Sequence, residues 1–104
     1  MLRQIRMNKW RADADEATID ATIQALNDAF EAIPQIKGSF KGKNLGIAEP
    51  ATAAASYDYV IVHDFESVED WKAYRADEQH QKVVREQLIP LIDQTAIIHC
   101  DYEG

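Results

Sequence analysis

The sequence is poor in the residues that build disulfides, metal cages and flexible linkers. Its 104 residues include one cysteine, four glycines and three prolines. The single cysteine, Cys100, rules out an intramolecular disulfide and a cysteine-based metal cage, and it fits the reducing cytoplasm in which we expect the protein. No apolar run approaches the roughly 20 residues of a membrane span, and no apolar signal core follows Met1, so neither membrane insertion nor secretion is expected.

Positive charge is also scarce. The chain carries 11 Lys and Arg against 18 Asp and Glu, a net charge of −7, and the basic residues are scattered. Nucleic-acid binding needs clustered basic residues, so no nucleic-acid partner is expected. The glycine loops that hold nucleotide phosphates and the serine-elbow motif are missing, and no cofactor is expected. The 46% hydrophobic and 28% charged residues that are present indicate one globular domain, spanning residues 1–104.

Four segments show the short alternation of apolar and polar residues that is typical of β-strands. They lie at about 2–10, 36–46, 57–65 and 94–102. The third is β-branched and aromatic throughout, whereas the glycines of the second favour a twisted or bulged strand. Residues 49–56, rich in Pro, Ala and Thr, are predicted to form a loop between them.

Two helical regions separate these strands. The first, about 14–33, has apolar residues spaced by four, three, four and three, with a capping-box-like start at Asp13 and Glu16. The second is broken into a short helix from Ser67 to Tyr74 and another from about Glu78. The resulting order, β-α-β-β-α-β with a split second helix, predicts an α+β fold of the ferredoxin-like class with a four-stranded antiparallel sheet.

Such a sheet carries helices on one face and leaves the other face open. A chain of this size gains most by burying the open face against a second copy, so we expect a homodimer. The alternative is that an acidic domain keeps that face polar and stays monomeric.

The stretch from Phe65 to Tyr74, FESVEDWKAY, is followed six residues later by His80. Together with residues 33–36, 42–44, 57–59 and 101–102, it resembles the stress-responsive α/β-barrel (Dabb) family of dimeric ferredoxin-like proteins. The likeness runs nearly end to end, and it implies a dimeric α/β barrel.

The resemblance also implies roles for single residues. The family includes a plant polyketide cyclase in which a Tyr and a His, at the positions of Tyr74 and His80, promote an aldol-type ring closure. These two residues are therefore our catalytic candidates. The first-strand histidine common in the family is Gln4 here, the cyclase's third-strand histidine is Tyr59, and the frequent His-Pro before the later histidine is replaced within residues 76–78.

Strand register extends the candidate site. If Gln4 faces the helices, as the resemblance implies, alternation sends the polar residues two and four positions later to the same side. Matching registers on the third and fourth strands would bring further polar residues into one cavity. The candidate ligand-binding residues on this face are Arg6, Asn8, Tyr59, His63, His99 and Asp101.

A strand face under helices should be apolar, because burying unpaired polar groups costs several kcal/mol. A polar pocket open to water would cost less free energy, because water or a ligand could hydrogen-bond to these groups. The Arg6 guanidinium could grip two oxygens of a carboxylate or enolate, the His80 imidazole could accept a proton near neutral pH, and the Tyr74 hydroxyl could stabilise an oxyanion.

Each assignment has a structural alternative. Tyr74 could be a packing residue and His80 a surface residue at a helix start. Arg6 could pair with Asp101 across adjacent strands, and the two strand histidines could be hydrogen-bonded to Asp101 or a neighbouring residue rather than to a ligand. No local ligand spacing supports a metal site at these histidines, so no metal is expected.

Two functional hypotheses follow. One is a cofactor-free acid/base enzyme of cyclase or isomerase type, acting on a small polar or anionic carbonyl compound. The other is a non-catalytic dimeric module that binds a small ligand or serves in a stress response, motivated by Gln4 and Tyr59 at family histidine positions. A monooxygenase-like activity, known on related dimeric barrels, rests on fold analogy alone.

Overall fold

The computed structural model describes residues 1–53 and 55–103. Its regular elements are β1 (Leu2–Trp10), α1 (Glu16–Glu31), β2 (Gly38–Lys43), α2 (Pro50–Ala53), β3 (Tyr59–Phe65), α3 (Val68–Ala76), α4 (Glu78–Val83) and β4 (Ile92–Asp101). A π-helical turn, Val84–Leu88, and a 3-10 turn, Ile89–Leu91, connect α4 to β4. None of the helices in the described ranges is long and apolar enough to cross a membrane.

The four strands form one antiparallel sheet in the order β2-β3-β1-β4. This confirms the predicted ferredoxin-like fold and its split second helical region. In the register of the sheet, Gln4 on β1 lies between His63 on β3 and His99 on β4. Residues directly opposite each other project to the same side, so the alternation read from the sequence places these three side chains on one face.

The first helix is shorter than predicted and has a different cap. It begins at Glu16 rather than at residue 14, and the Oδ1 of Asp15 accepts the backbone N–H of Thr18 at 2.8 Å. Asp13 instead pairs with Arg11 at 3.0 Å. The predicted capping box at Asp13 is therefore wrong by two residues, because Asp15 occupies the extended conformation that an N-cap requires.

The region between the second and third strands also differs from the prediction. β2 covers Gly38–Lys43 rather than 36–46, and β3 begins at Tyr59 rather than at residue 57. Within the predicted loop 49–56 lies the short helix α2, which opens with Pro50. Proline suits the first helical position because its fixed backbone angle is helical and its missing N–H would have no partner there.

The two faces of the sheet differ in what covers them. Helices α1, α3 and α4 pack over one face, here called the helix-covered face, and the hydrophobic core lies between them and the strands. Its most buried members are Leu26, Phe30, Ile33, Tyr59, Ile61, Phe65, Tyr74, Val83 and Leu88. The opposite face, here called the open face, is covered by none of the helices in residues 1–53 and 55–103, and it presents Ile5, Met7, Phe40, Val60, Val62 and Ile98.

Candidate functional site

A cleft of about 460 Å³ opens between the sheet and the split helical region. β1 and β4 form its floor, while α3, α4 and the π turn form its walls. It is lined by Gln4, Arg6, Trp71, Tyr74, Arg75, His80, Gln81, Val84, Arg85, Ile97 and His99. A concave site with several converging polar groups is the usual form of a small-molecule site.

The break between α3 and α4 brings Tyr74 and His80 together. Asp77 ends α3 and caps α4 in an extended conformation, with its Oδ2 accepting the backbone N–H of His80 at 2.8 Å. Tyr74, near the end of α3, and His80, in the first turn of α4, therefore face each other. Their rings stack with centroids 4.5 Å apart and an interplanar angle of 29°, and both side chains are buried.

The Tyr74 hydroxyl is oriented by Gln4. The Gln4 amide donates to the Tyr74 oxygen at 3.3 Å, and its carbonyl oxygen accepts the Trp71 indole N–H at 2.9 Å. Burial raises the pKa of Tyr74 above its usual value, although Gln4 and the charge of Arg6 oppose this. The hydroxyl therefore stays protonated, and because it accepts from Gln4, its own hydrogen can be donated to a ligand in the cleft.

His80 is poised to accept a proton. Burial lowers the pKa of its imidazole below the ordinary 6.5, and the Tyr74 backbone carbonyl and Asp77 only partly offset this. The ring is therefore neutral at physiological pH. Its Nδ1 is buried and has no hydrogen-bond partner among the described residues. A neutral imidazole in a cleft is the group that general base catalysis most often uses.

Arg6 has no carboxylate partner in the described part of the chain. Its Nε is buried without a hydrogen bond, and it lines the cleft beside the Tyr74 and His80 rings. The predicted alternative, a pair with Asp101, is not formed. Asp101 lies at the end of β4 with its side chain 97% exposed, and it contacts the N-terminal amine of Met1 at 3.6 Å.

Four of the eight predicted site residues line the cleft. They are Arg6, Tyr74, His80 and His99. The Nε2 of His99 lies 3.0 Å from the Gln4 carbonyl oxygen, and its ring packs edge-on against Trp71 with centroids 4.8 Å apart. His99 therefore joins the network that orients Tyr74.

The other four predicted residues lie outside the cleft, so the single cavity expected from strand register is divided. Asn8 is completely buried and accepts the Thr95 hydroxyl at 2.9 Å, and Tyr59 packs in the core beside Trp10. Asp101 is exposed, as described above, at the end of β4, an outer strand of the sheet.

His63, the fourth, is enclosed by aromatic rings. Its ring is fully buried, with the Phe30 ring edge-on at 4.3 Å and the Tyr74 ring at 5.5 Å between centroids. Neither ring nitrogen has a hydrogen-bond partner among the described residues. Burial, helped by the charges of Lys41 and His80, lowers the pKa of His63 to about 4. The ring is therefore a neutral core residue behind the Tyr74–His80 pair rather than a residue of the cleft wall.

Within residues 1–53 and 55–103, no group of three His, Cys, Asp or Glu side chains is placed to hold a metal ion. The cleft instead combines a proton acceptor, a hydroxyl donor and a guanidinium. These groups can polarise a carbonyl and remove a neighbouring proton without further chemistry from a bound group.

Sequence reasoning missed five polar or aromatic residues of the cleft, namely Gln4, Trp71, Arg75, Gln81 and Arg85. Gln4 was placed on the correct face but was treated only as a family histidine position, whereas it joins Tyr74, Trp71 and His99. Arg75 and Arg85 also line the cleft. The sequence contained two weak signals. Arg75 follows Tyr74 directly, and Gln81 and Arg85 lie four residues apart, on one helical face beside His80.

Comparison with solved structures finds the same fold. A dimeric ferredoxin-like protein of unknown function from Thermobifida fusca is 23% identical with a TM-score of 0.84, covering 97% of this chain and 90% of that one. A hydroxynitrile lyase from Passiflora edulis is 19% identical with a TM-score of 0.79, covering 95% and 90%. An antibiotic biosynthesis monooxygenase is 11% identical with a TM-score of 0.74, covering all of both chains.

A search of curated protein sequences finds no match. A family model does match, and it spans nearly the whole chain, including every element that builds the cleft. The chain belongs to the stress-responsive A/B barrel domain (Dabb) family, whose model matches residues 2–103.

Proposed function

We propose that the protein is a homodimeric, cofactor-free acid/base enzyme that acts on a small anionic carbonyl compound. His80 is the proton acceptor, Tyr74 the hydrogen-bond donor and Arg6 the anchor for a carboxylate. The observation that carries this proposal is the stacked Tyr74–His80 pair in one cleft with an arginine that has no carboxylate partner among the described residues.

The chemistry follows from the charge states of these groups. The neutral His80 imidazole takes a proton from the carbon beside the substrate carbonyl, and the electron pair of that C–H bond moves to the carbonyl oxygen. The Tyr74 hydroxyl donates a hydrogen bond to the resulting enolate oxygen, while Arg6 holds the carboxylate. Return of the proton to another carbon gives an isomerase, and attack of the enolate carbon on a second carbonyl gives a cyclase.

A second copy of the chain completes the molecule in this proposal. The open face carries large apolar side chains, of which Phe40 is 60% and Ile98 56% exposed in the single chain. Apolar patches of this kind mark interfaces. Several solved relatives of the same fold are described as dimeric, which supports the same arrangement here.

A binding module without turnover would use the same cleft. Two observations support a ligand in this cleft under either function: His80 lies in the cleft rather than on the outer surface, and Arg6 forms no ion pair with Asp101. The lyase and the monooxygenase among the fold relatives are below 25% identity. Their names therefore indicate what this fold has hosted elsewhere and do not assign either reaction to this chain.

Proton exchange provides a direct test that needs no knowledge of the natural product. Pyruvate and acetoacetate are incubated with the protein in deuterated buffer, and loss of the signal from the protons beside the carbonyl is followed by NMR. The wild-type protein should accelerate this exchange. His80→Ala should lower the rate by about 100-fold or more, and Tyr74→Phe by about 10- to 100-fold, because the base and the oxyanion donor act in the transition state.

Lys82→Ala is the matched control. Lys82 is an exposed basic residue on the same short helix as His80, and it does not line the cleft. Its variant should exchange at the wild-type rate. Equal rates for wild type, His80→Ala and Tyr74→Phe would refute the enzyme, and saturable binding without any exchange would identify the binding module instead.

A further inference from the structure

The arginines of this chain fall into two groups. Arg3 donates to both carboxylate oxygens of Asp64, at 2.8 and 3.1 Å, and Arg11 does the same to Asp13, at 3.0 and 3.3 Å. Both of these paired arginines lie away from the cleft. Pairing of this kind neutralises the guanidinium and leaves it unavailable to a ligand.

The remaining three arginines, Arg6, Arg75 and Arg85, all line the cleft, and none forms a salt bridge within the described ranges. No Asp or Glu is among the lining residues, although the chain has 18 acidic residues and a net charge of −7. The lining of this cleft therefore contains three arginines without a salt bridge and no carboxylate, in a protein whose overall charge is negative. The charges of these three guanidinium groups are not offset by a lining carboxylate, so an anionic ligand would be attracted to the cleft.

These arginines lie at two depths. Arg6 is half-buried on the floor, with its Nε fully enclosed, whereas Arg75 and Arg85 are exposed at the rim on the last turn of α3 and on the π turn. The guanidinium of Arg75 lies 5.1 Å from the centre of the Trp71 ring. An aromatic face holds an arginine in place without cancelling its charge, so Arg75 remains available to an anion.

The π turn that carries Arg85 is a second feature that points to a ligand at the rim of the cleft. A π turn inserts an extra residue into a helix, which weakens regular hydrogen bonding, and such turns occur frequently at functional sites. Here the turn follows α4 directly and contributes both Val84 and Arg85 to the cleft wall.

We infer that Arg75 and Arg85 form a second anion subsite at the rim, so that the substrate carries two anionic groups: one held at the floor by Arg6, the other at the rim. This deepens the proposed function, on which it rests, by naming the substrate class: a small compound with two anionic groups and a reactive carbonyl between or beside them. Such a compound is here called a dianion, even where one of its groups is a phosphate with a charge of about −2. The rim group is an oxyanion, supplied by a carboxylate or a phosphate, since a guanidinium grips both with two parallel hydrogen bonds.

Calorimetric titration with three probes tests the inference at physiological ionic strength. Pyruvate carries one carboxylate, 2-oxoglutarate carries two, and 2-phosphoglycolate carries a carboxylate and a phosphate. At least one of the dianions should bind about tenfold or more tightly than pyruvate. The tighter of the two identifies whether the rim prefers a carboxylate or a phosphate.

Variants separate the rim from the floor. Arg75→Gln and Arg85→Gln, singly and together, should weaken binding of the preferred dianion towards that of pyruvate, by about tenfold for the pair, and leave pyruvate unchanged. Arg6→Gln should weaken all three probes. Lys82→Gln removes an exposed charge from the same region and should change none of them.

Equal affinity for pyruvate and both dianions, equal weakening of pyruvate and dianion by the rim variants, or no binding of any probe would each overturn the inference. The outcome is separable from that of the exchange test. A dianion preference without proton exchange would refute the enzyme and leave the subsite standing, and exchange without a dianion preference would refute the subsite alone.

Discussion

The two faces of the sheet reverse the usual distribution of polarity. The helix-covered face, which should be apolar, buries Gln4, Asn8 and His63 with 4% or less of each exposed. The open face, which meets water in the single chain, carries large apolar residues, with Phe40 and Ile98 more than half exposed. Both departures carry a free-energy cost in an isolated domain.

The free-energy cost is offset in a different way on each face. Buried polar groups are tolerated where they build a network or meet a ligand, as Gln4 does for Tyr74 and the cleft. Exposed apolar groups are tolerated where a partner covers them. In the proposed function, one sheet thus serves two tasks, with chemistry on the side that the helices enclose and association on the other.

The largest effect is expected from a charge on the open face. Ile98→Glu should raise the dissociation constant of the dimer by about 100-fold or more, because an unpaired carboxylate would have to be desolvated in the interface. Sedimentation across a range of protein concentrations measures it.

Ile97→Glu is a close control for this change. Ile97 is the neighbouring residue on β4, is of the same type and is 50% exposed against 56% for Ile98, but it points to the cleft side. Its variant should remain dimeric. Dissociation of both variants, or of neither, would contradict the assignment of the open face as the interface.

The next effect concerns His63 on the helix-covered face. Its pKa is about 4 in the folded protein, against an ordinary 6.5, because burial disfavours the charged ring. The unfolded chain therefore binds more protons between these values, and stability is lost as the pH falls from about 6.5 to 4. At the lower end the loss from His63 reaches about 3 kcal/mol, and the lowered pKa of His80 acts in the same direction.

Urea unfolding at several pH values, at one protein concentration, measures this acid slope. His63→Leu should flatten it, since the substituted side chain has no proton to gain. The part that belongs to His80 remains, together with the contribution near pH 4 of carboxylates such as Asp64, whose pKa is also lowered by folding. An unchanged slope in the variant would show that His63 is solvated or hydrogen-bonded in solution.

Gln4 should give a smaller but distinct effect. Gln4→Leu removes the acceptor of the buried Trp71 N–H and the donor to Tyr74, which should reduce stability by about 1–3 kcal/mol. Gln81→Leu makes the same substitution at an exposed amide of the same cleft. Its one hydrogen bond, to the Arg75 carbonyl, is open to water, so the loss of stability should be no more than about 0.5 kcal/mol. Equal losses in urea unfolding would argue against a buried network.

The smallest effect concerns the ion pair of Arg3 and Asp64, a polar pair on the open face. The hydrogen bonds from Arg3 hold the pKa of the Asp64 carboxyl below its usual range. Arg3→Met should therefore raise the pKa of Asp64, as observed by carbon NMR of the carboxyl group. An unchanged titration of Asp64 would mean that the pair does not persist in solution.

The sequence predicted the face of each strand residue better than its depth. Alternation is a local property with a period of two, so it placed Gln4, His63 and His99 on one side without knowledge of the tertiary structure. It could not show how far the helices extend over that side. Asp101 was therefore expected in the cavity, whereas its side chain is exposed at the end of an outer strand.

The sequence could not identify the rim arginines, Arg75 and Arg85, for a different reason. An arginine on a short polar helix looks the same whether it serves solubility or a ligand. Only the fold places Arg75 and Arg85 around the cleft and the paired arginines elsewhere. The resemblance, by contrast, located Tyr74 and His80 directly, because the break between two helices keeps a fixed spacing in the chain.

The position of β4 has a practical consequence. It is an outer strand of the sheet, and residues 95–100 within it carry no Asp, Glu, Lys or Arg, while Ile97 and Ile98 are both at least half exposed. An outer strand of this composition can pair with a strand of another molecule and seed aggregates. Because the repulsion that keeps molecules apart vanishes at the isoelectric point, near 4.8, purified samples should have their shortest storage life as the buffer approaches that pH.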